Sequence, residues 1–104
     1  MVIIIQKNEL DRPVGKLADA SLQFTEGPLK GLKLIGFAVW ERRTGGGLNV
    51  TFPSRQYSVN GERRSFSLLR PLVDVDAVDT LRDLILEAYA AHVAAAGQDV
   101  PAPW

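Results

Sequence analysis

Arginine is the residue type through which this chain can do most. Between Lys30 and Arg70 stand eight basic residues, Lys30, Lys33, Arg42, Arg43, Arg55, Arg63, Arg64 and Arg70, against Glu41 and Glu62, a net +6. From Pro71 onward Arg82 faces Asp74, Asp76, Asp79, Asp83, Glu87 and Asp99, a net −5, and the whole chain is neutral. A guanidinium presents a planar fork of donors that matches phosphate oxygens. The basic middle therefore reads as a phosphate-facing surface. The bland reading is that strands expose arginines and that helices favour acids in their first turn.

Particular positions sharpen the choice. Arg42 and Arg43 precede Gly45-Gly46-Gly47, so they sit either on a hairpin tip that reaches phosphates or on a solvated hairpin end. Arg55 follows Pro53-Ser54 and offers a phosphate or base-edge contact, or a surface ion pair with Asp83 or Glu87. Arg63 and Arg64 point to opposite faces of any strand they share, so at most one, here taken as Arg64, joins Arg55 and Arg70 in a stripe. Tyr57 is the aromatic near this cluster that reads as exposed, able to stack a base. Phe52 and Phe66 read as core.

Other chemistry finds little footing. There is no cysteine, which leaves no disulfide framework and no thiolate metal site. His92 is the only histidine; it lacks the partners that a catalytic base or a metal ligand needs, and reads as an ordinary residue on a helix edge. Asp74, Asp76 and Asp79 suit helix capping better than a calcium loop, which needs a longer ordered ligand series. The glycine run lacks the Lys-Ser/Thr and the following helix of a phosphate-cradling loop. These absences argue against an enzyme and against any cofactor or metal.

The elements that must position the arginines follow from periodicity. Val2 to Ile5 is β-branched and reads as a strand. Pro13 and Gly15 mark a turn. Leu17 to Phe24 sets Ala18, Ala20, Leu22 and Phe24 against a polar alternate face, the pattern of a half-buried strand. In Leu32 to Glu41, Ile35, Phe37 and Val39 share one face and Leu34, Gly36, Ala38 and Trp40 the other. Leu48 to Phe52 pairs with it, and Pro53 stops the ladder. Ser54 to Glu62 reads as a polar connection around Asn60-Gly61, and Arg63 to Leu69 as the last strand. A helix starts near Asp74 or Asp76, with Leu81, Leu84, Ile85, Ala88 and His92 on one face. Gly97 reads as its stop.

The expected fold is thus α+β: an antiparallel sheet of four to five strands followed by one C-terminal helix. Residues 1–96 form a single domain, and 97–104 a flexible tail. A hydrophobic content of 46% and a charged content of 23% are those of an ordinary globular domain. The apolar run at the N-terminus is shorter than the roughly 7–15 residues of a signal peptide or the roughly 20 of a membrane span, and a cytoplasmic location is expected. The central strand is apolar on both faces, yet one helix covers only one of them. A second copy is the natural cover, with Ile35, Phe37, Val39 and Trp40 as its contacts.

One stretch also resembles a known family. Phe37-Ala38-Val39-Trp40-Glu41 is followed by Gly47-Leu48-Asn49-Val50-Thr51-Phe52-Pro53-Ser54-Arg55. Then come Gly61-Glu62-Arg63-Arg64, Arg70-Pro71 and Leu86-Glu87-Ala88-Tyr89. In kind and order these motifs resemble the stage V sporulation protein G (SpoVG) family, over about three quarters of the chain. Arg70 stands where that family usually has histidine, and Gln56-Tyr57 where it often has basic residues. The resemblance implies a homodimer built by pairing sheets or strands. It also implies weakly sequence-selective binding to DNA, and often RNA, in bacterial regulation such as septation or sporulation control. The residues taken for nucleic acid are Arg42, Arg43, Arg55, Tyr57, Arg64 and Arg70. The alternative function is a non-catalytic protein-interaction module, with the basic face meeting an acidic partner or a sheet edge accepting a strand.

Overall fold

The β-branched start and the alternating second segment pair directly. In the computed structural model, which describes residues 1–8 and 13–98, β1 (Val2–Lys7) runs antiparallel to β2 (Lys16–Gln23). β2 pairs with β3 (Lys33–Glu41), and β3 with β4 (Leu48–Thr51), so the sheet is a meander ordered β1-β2-β3-β4. One face carries Ala18, Ala20, Leu22, Phe37, Val39 and Val50, all buried. The alanines on β2 keep this face low, and α1 (Asp76–Gln98) lies across it from β1 to β4. Ile85 of the helix is fully buried against the sheet side chains. Burying a side chain such as Phe37 or Ile85 contributes about 1.5–3 kcal/mol. The α+β architecture is as the periodicity indicates.

The alternation of β3 breaks where its sequence looked most regular. Ala20 pairs with Phe37, but Leu22 pairs with Leu34, so β3 carries an extra residue against β2. The bulge falls at Gly36, whose φ of 107° is a conformation that L side chains rarely adopt. It turns Ile35 to the open face of the sheet, 63% exposed, while Leu34 joins the core. Phe37 and Val39 are 0% exposed beneath the helix. These two therefore cannot supply a dimer interface; of the four residues expected there, Ile35 and Trp40 lie on the open face. Trp40 is anchored by its indole N–H, which donates to Thr51 Oγ1 at 2.7 Å.

Residues expected to form a connection instead form a strand. β5 (Ser54–Val59) pairs with β6 (Glu62–Ser67) in a separate two-stranded hairpin. Its tip is Asn60 at φ 52° and Gly61 at φ 81°, the pair of left-handed residues that a two-residue loop needs to match strand twist. Pro53 sits against Gly36: a Cβ on Gly36 would lie 2.9 Å from the Pro53 Cβ. This close approach fixes where the chain leaves the sheet. The Leu68 N–H donates to Pro53 O at 2.9 Å and closes the hairpin root.

The helix begins as its acids suggest. The Asp74 carboxylate accepts from the Asp76 N–H at 3.0 Å, a side-chain N-cap. Its buried face is rotated from the expected one. Val78, Leu81, Ile85, Ala88 and Tyr89 turn inward, whereas Leu84 is 41% exposed and His92 is exposed. The helix also continues through Gly97 to Gln98. Of the expected tail, residues 99–104 lie outside the described residues.

Candidate nucleic-acid interface

Every residue of β5 and β6 is exposed. The two strands pack mainly on each other. Side chains directly opposite in an antiparallel pair share a face. Arg55 stands opposite Phe66, Tyr57 opposite Arg64, and Val59 opposite Glu62. The other face carries Ser54 with Ser67, Gln56 with Ser65, and Ser58 with Arg63. One side of the hairpin is therefore arginine and aromatic, and the other is hydroxyl and amide with a single arginine.

The rings are ordered by one another. Tyr57 and Phe66 pack with centroids 5.7 Å apart and planes inclined by 59°. On the root side, the Arg70 guanidinium lies 5.7 Å from the Phe66 centroid, within cation–π range. Arg70 Nε also donates to Ser67 O at 3.0 Å, and the Ser67 hydroxyl donates to Leu69 O at 2.9 Å. Arg70 thus braces the root of the hairpin while keeping its charge at the surface.

The charges on this element are almost all of one sign. Residues 54–70 hold Arg55, Arg63, Arg64 and Arg70 against Glu62 alone. Glu62 reaches Arg64, Oε2 to Nη2 at 3.3 Å, with the two side chains 72% and 57% exposed. An ion pair this exposed contributes little and yields readily to a competing anion. Among the described residues Arg55 and Arg63 make no ion pair; the alternative pairing of Arg55 with Asp83 or Glu87 is not formed.

Four of the six residues expected to meet nucleic acid, Arg55, Tyr57, Arg64 and Arg70, come together on this hairpin. Arg42 and Arg43 do not join them. They lie in the β3–β4 turn, where the Arg42 N–H donates to Gly47 O at 3.1 Å and all three glycines have positive φ. That turn is six residues along the strand from Gly36, against which Pro53 packs as the chain leaves for the hairpin, or roughly 20 Å at strand rise. Phe66 is the residue that sequence reasoning missed. It is 37% exposed and central to the cluster, whereas Phe52 packs edge-on against Phe37 at 5.4 Å, as a core residue should. The signal was available in Asn60-Gly61, which makes 54–59 and 62–67 a hairpin and puts 55, 57, 64 and 66 on one side.

No group of His, Cys, Asp or Glu among the described residues could hold a metal ion. No helix among them is long and apolar enough to cross a membrane. Compared with known families, curated proteins and solved structures, the chain matches none.

Proposed function

We propose that this chain is a non-catalytic, dimeric nucleic-acid-binding regulator of the SpoVG kind, which grips DNA or RNA with its β5–β6 hairpin. The observation that supports this most is the exposed face on which Arg55, Arg64 and Arg70 are interleaved with Tyr57 and Phe66. Phosphate contacts dominate the affinity of such proteins, and each contact releases counterions. Three arginines engaging phosphates give a log–log salt slope of about −2 to −3. Fluorescence anisotropy with labelled single-stranded DNA, duplex DNA and RNA across a salt series tests it. Binding that is flat in salt, or absent at low salt, would overturn the reading.

The dimer part rests on the open sheet face. Ile4 and Ile35 are exposed there, 39% and 63%, on the same face of the sheet as the half-buried Trp40. Neither the helix nor the hairpin strands pack extensively on that side. A second copy covering it buries apolar surface that one chain leaves in water. Ile35→Lys is expected to raise the dimer dissociation constant at least tenfold in sedimentation equilibrium without lowering helix content. An unchanged constant would move the interface elsewhere.

A protein-interaction module remains the second reading, favoured by one feature. Leu72 and Val73, between β6 and the helix, are 100% and 98% exposed. Recovery of one stoichiometric protein partner after nuclease treatment, without salt-sensitive nucleic-acid binding, would select this reading.

A further inference from the structure

We infer that the hairpin takes single-stranded rather than duplex nucleic acid, with an unpaired base stacked on Tyr57, adjacent phosphates on Arg55 and Arg64, and Glu62 as a built-in brake. This rests on the nucleic-acid reading above and specifies its ligand.

Tyr57 and Phe66 are 40% and 37% exposed on a hairpin whose strands pack mainly on each other and whose every residue is exposed. They are therefore not core residues caught at an edge. Phe66 is held between Arg70 on one side and Tyr57 on the other, so it serves as a backing for Tyr57. Tyr57 is the ring nearer the tip, with Arg64 directly across the ladder and Arg55 two residues back on the same face. An exposed ring with a guanidinium on either side is what a base with its two flanking phosphates requires.

Duplex DNA does not use these features well. A two-stranded ribbon fits the major groove, but reading there needs donors and acceptors aimed at base edges. Here the middle of the face is hydrocarbon ring. In a duplex the base faces are already stacked, so a ring can gain them only at the cost of unstacking. In a single strand they are free, and stacking on an aromatic is tolerant of sequence.

Glu62 completes the arrangement. Its carboxylate occupies Arg64 Nη2 at 3.3 Å, the position a phosphate oxygen would take. The exposed pair yields to a phosphate at little cost, but the phosphate then sits beside the negative charge of Glu62. Glu62 thus sets the affinity below what the arginines alone would give.

The test compares one labelled oligonucleotide, single-stranded and annealed to its complement, by anisotropy at fixed salt. The single strand is expected to bind at least tenfold more tightly. Tyr57→Phe should keep that affinity. Tyr57→Leu, which preserves an apolar strand residue, should weaken single-strand binding by about tenfold without changing the salt slope. Glu62→Gln should tighten it several-fold. A Tyr57→Trp variant supplies a direct readout, since its added indole emission should be quenched by the single strand and not by the duplex. Equal affinity for the two polymers, or Tyr57→Leu and Tyr57→Trp both without effect, would overturn the inference. If Arg55→Glu still abolishes salt-sensitive binding in that case, the broader nucleic-acid reading survives. If nothing binds at low salt, both fall. If Tyr57→Leu instead shifts only the dimer constant, the ring packs against a second copy and the inference falls.

Discussion

Gly36 carries more of the architecture than its size suggests. It holds φ at 107° in the bulge of β3, and Pro53 packs where its side chain would be. Gly36→Ala is expected to destabilise the chain by about 1–3 kcal/mol from backbone strain alone, measured by urea unfolding, with the contact to Pro53 adding to it. An unchanged midpoint would mean that the hairpin root does not depend on this approach. The same glycine explains why Ile35 was misplaced from sequence. Alternation assumes one residue per pleat step, and a bulge inserts a residue that no apolar pattern announces. The arginines were legible because charge and spacing are visible in the chain. The side of the hairpin that Phe66 takes was legible from Asn60-Gly61, but its exposure was not, because burial of an aromatic depends on whether its hairpin folds onto the sheet.

Among the elements, the β5–β6 hairpin is the one on which the proposed function rests, and it is held mainly by itself. A lone two-stranded hairpin is marginal in water. Three local features offset this: the Asn60-Gly61 turn, the Tyr57–Phe66 pair and the Arg70 brace at the root. Asn60→Ala places an ordinary side chain in the left-handed region and is expected to cost about 1–2 kcal/mol. The loss should be confined to the hairpin: its amides should exchange faster with solvent while those of β2 and β3 keep their protection. Equal acceleration throughout would show that the hairpin and sheet unfold as one unit. Sequence reasoning recognised the turn here but read Ser54 to Glu62 as connection, since a strand exposed on both faces shows little hydrophobic alternation. It placed the start of the helix correctly but stopped it at Gly97, through which it continues, and rotated its buried face, because Leu84 and Ile85 are adjacent and equally apolar. Only packing against the sheet selects Ile85.

At the scale of the whole molecule, neutrality conceals segregation. Six of the twelve basic residues stand on the hairpin, its root and the β3–β4 turn, whereas the helix carries Asp76, Asp79, Asp83 and Glu87 against Arg82. A neutral chain can still attract a polyanion if one projecting element presents its positive charge apart from the rest. The four-stranded sheet with its helix was legible in outline, because alternation, turn residues and a capped helix all agree. The division into a packed sheet and an arm was not legible, because it depends on the Pro53–Gly36 contact and not on local propensity.

The measurement that bears most directly on this account is the salt dependence of nucleic-acid binding by the wild-type chain and by the double variant Arg55→Glu/Arg64→Glu. The wild type is expected to bind with a log–log slope of about −2 to −3. The double variant should lose that salt-sensitive binding while unfolding at the same urea concentration. Binding of equal strength and slope by the two proteins would contradict the assignment of the hairpin as the nucleic-acid interface.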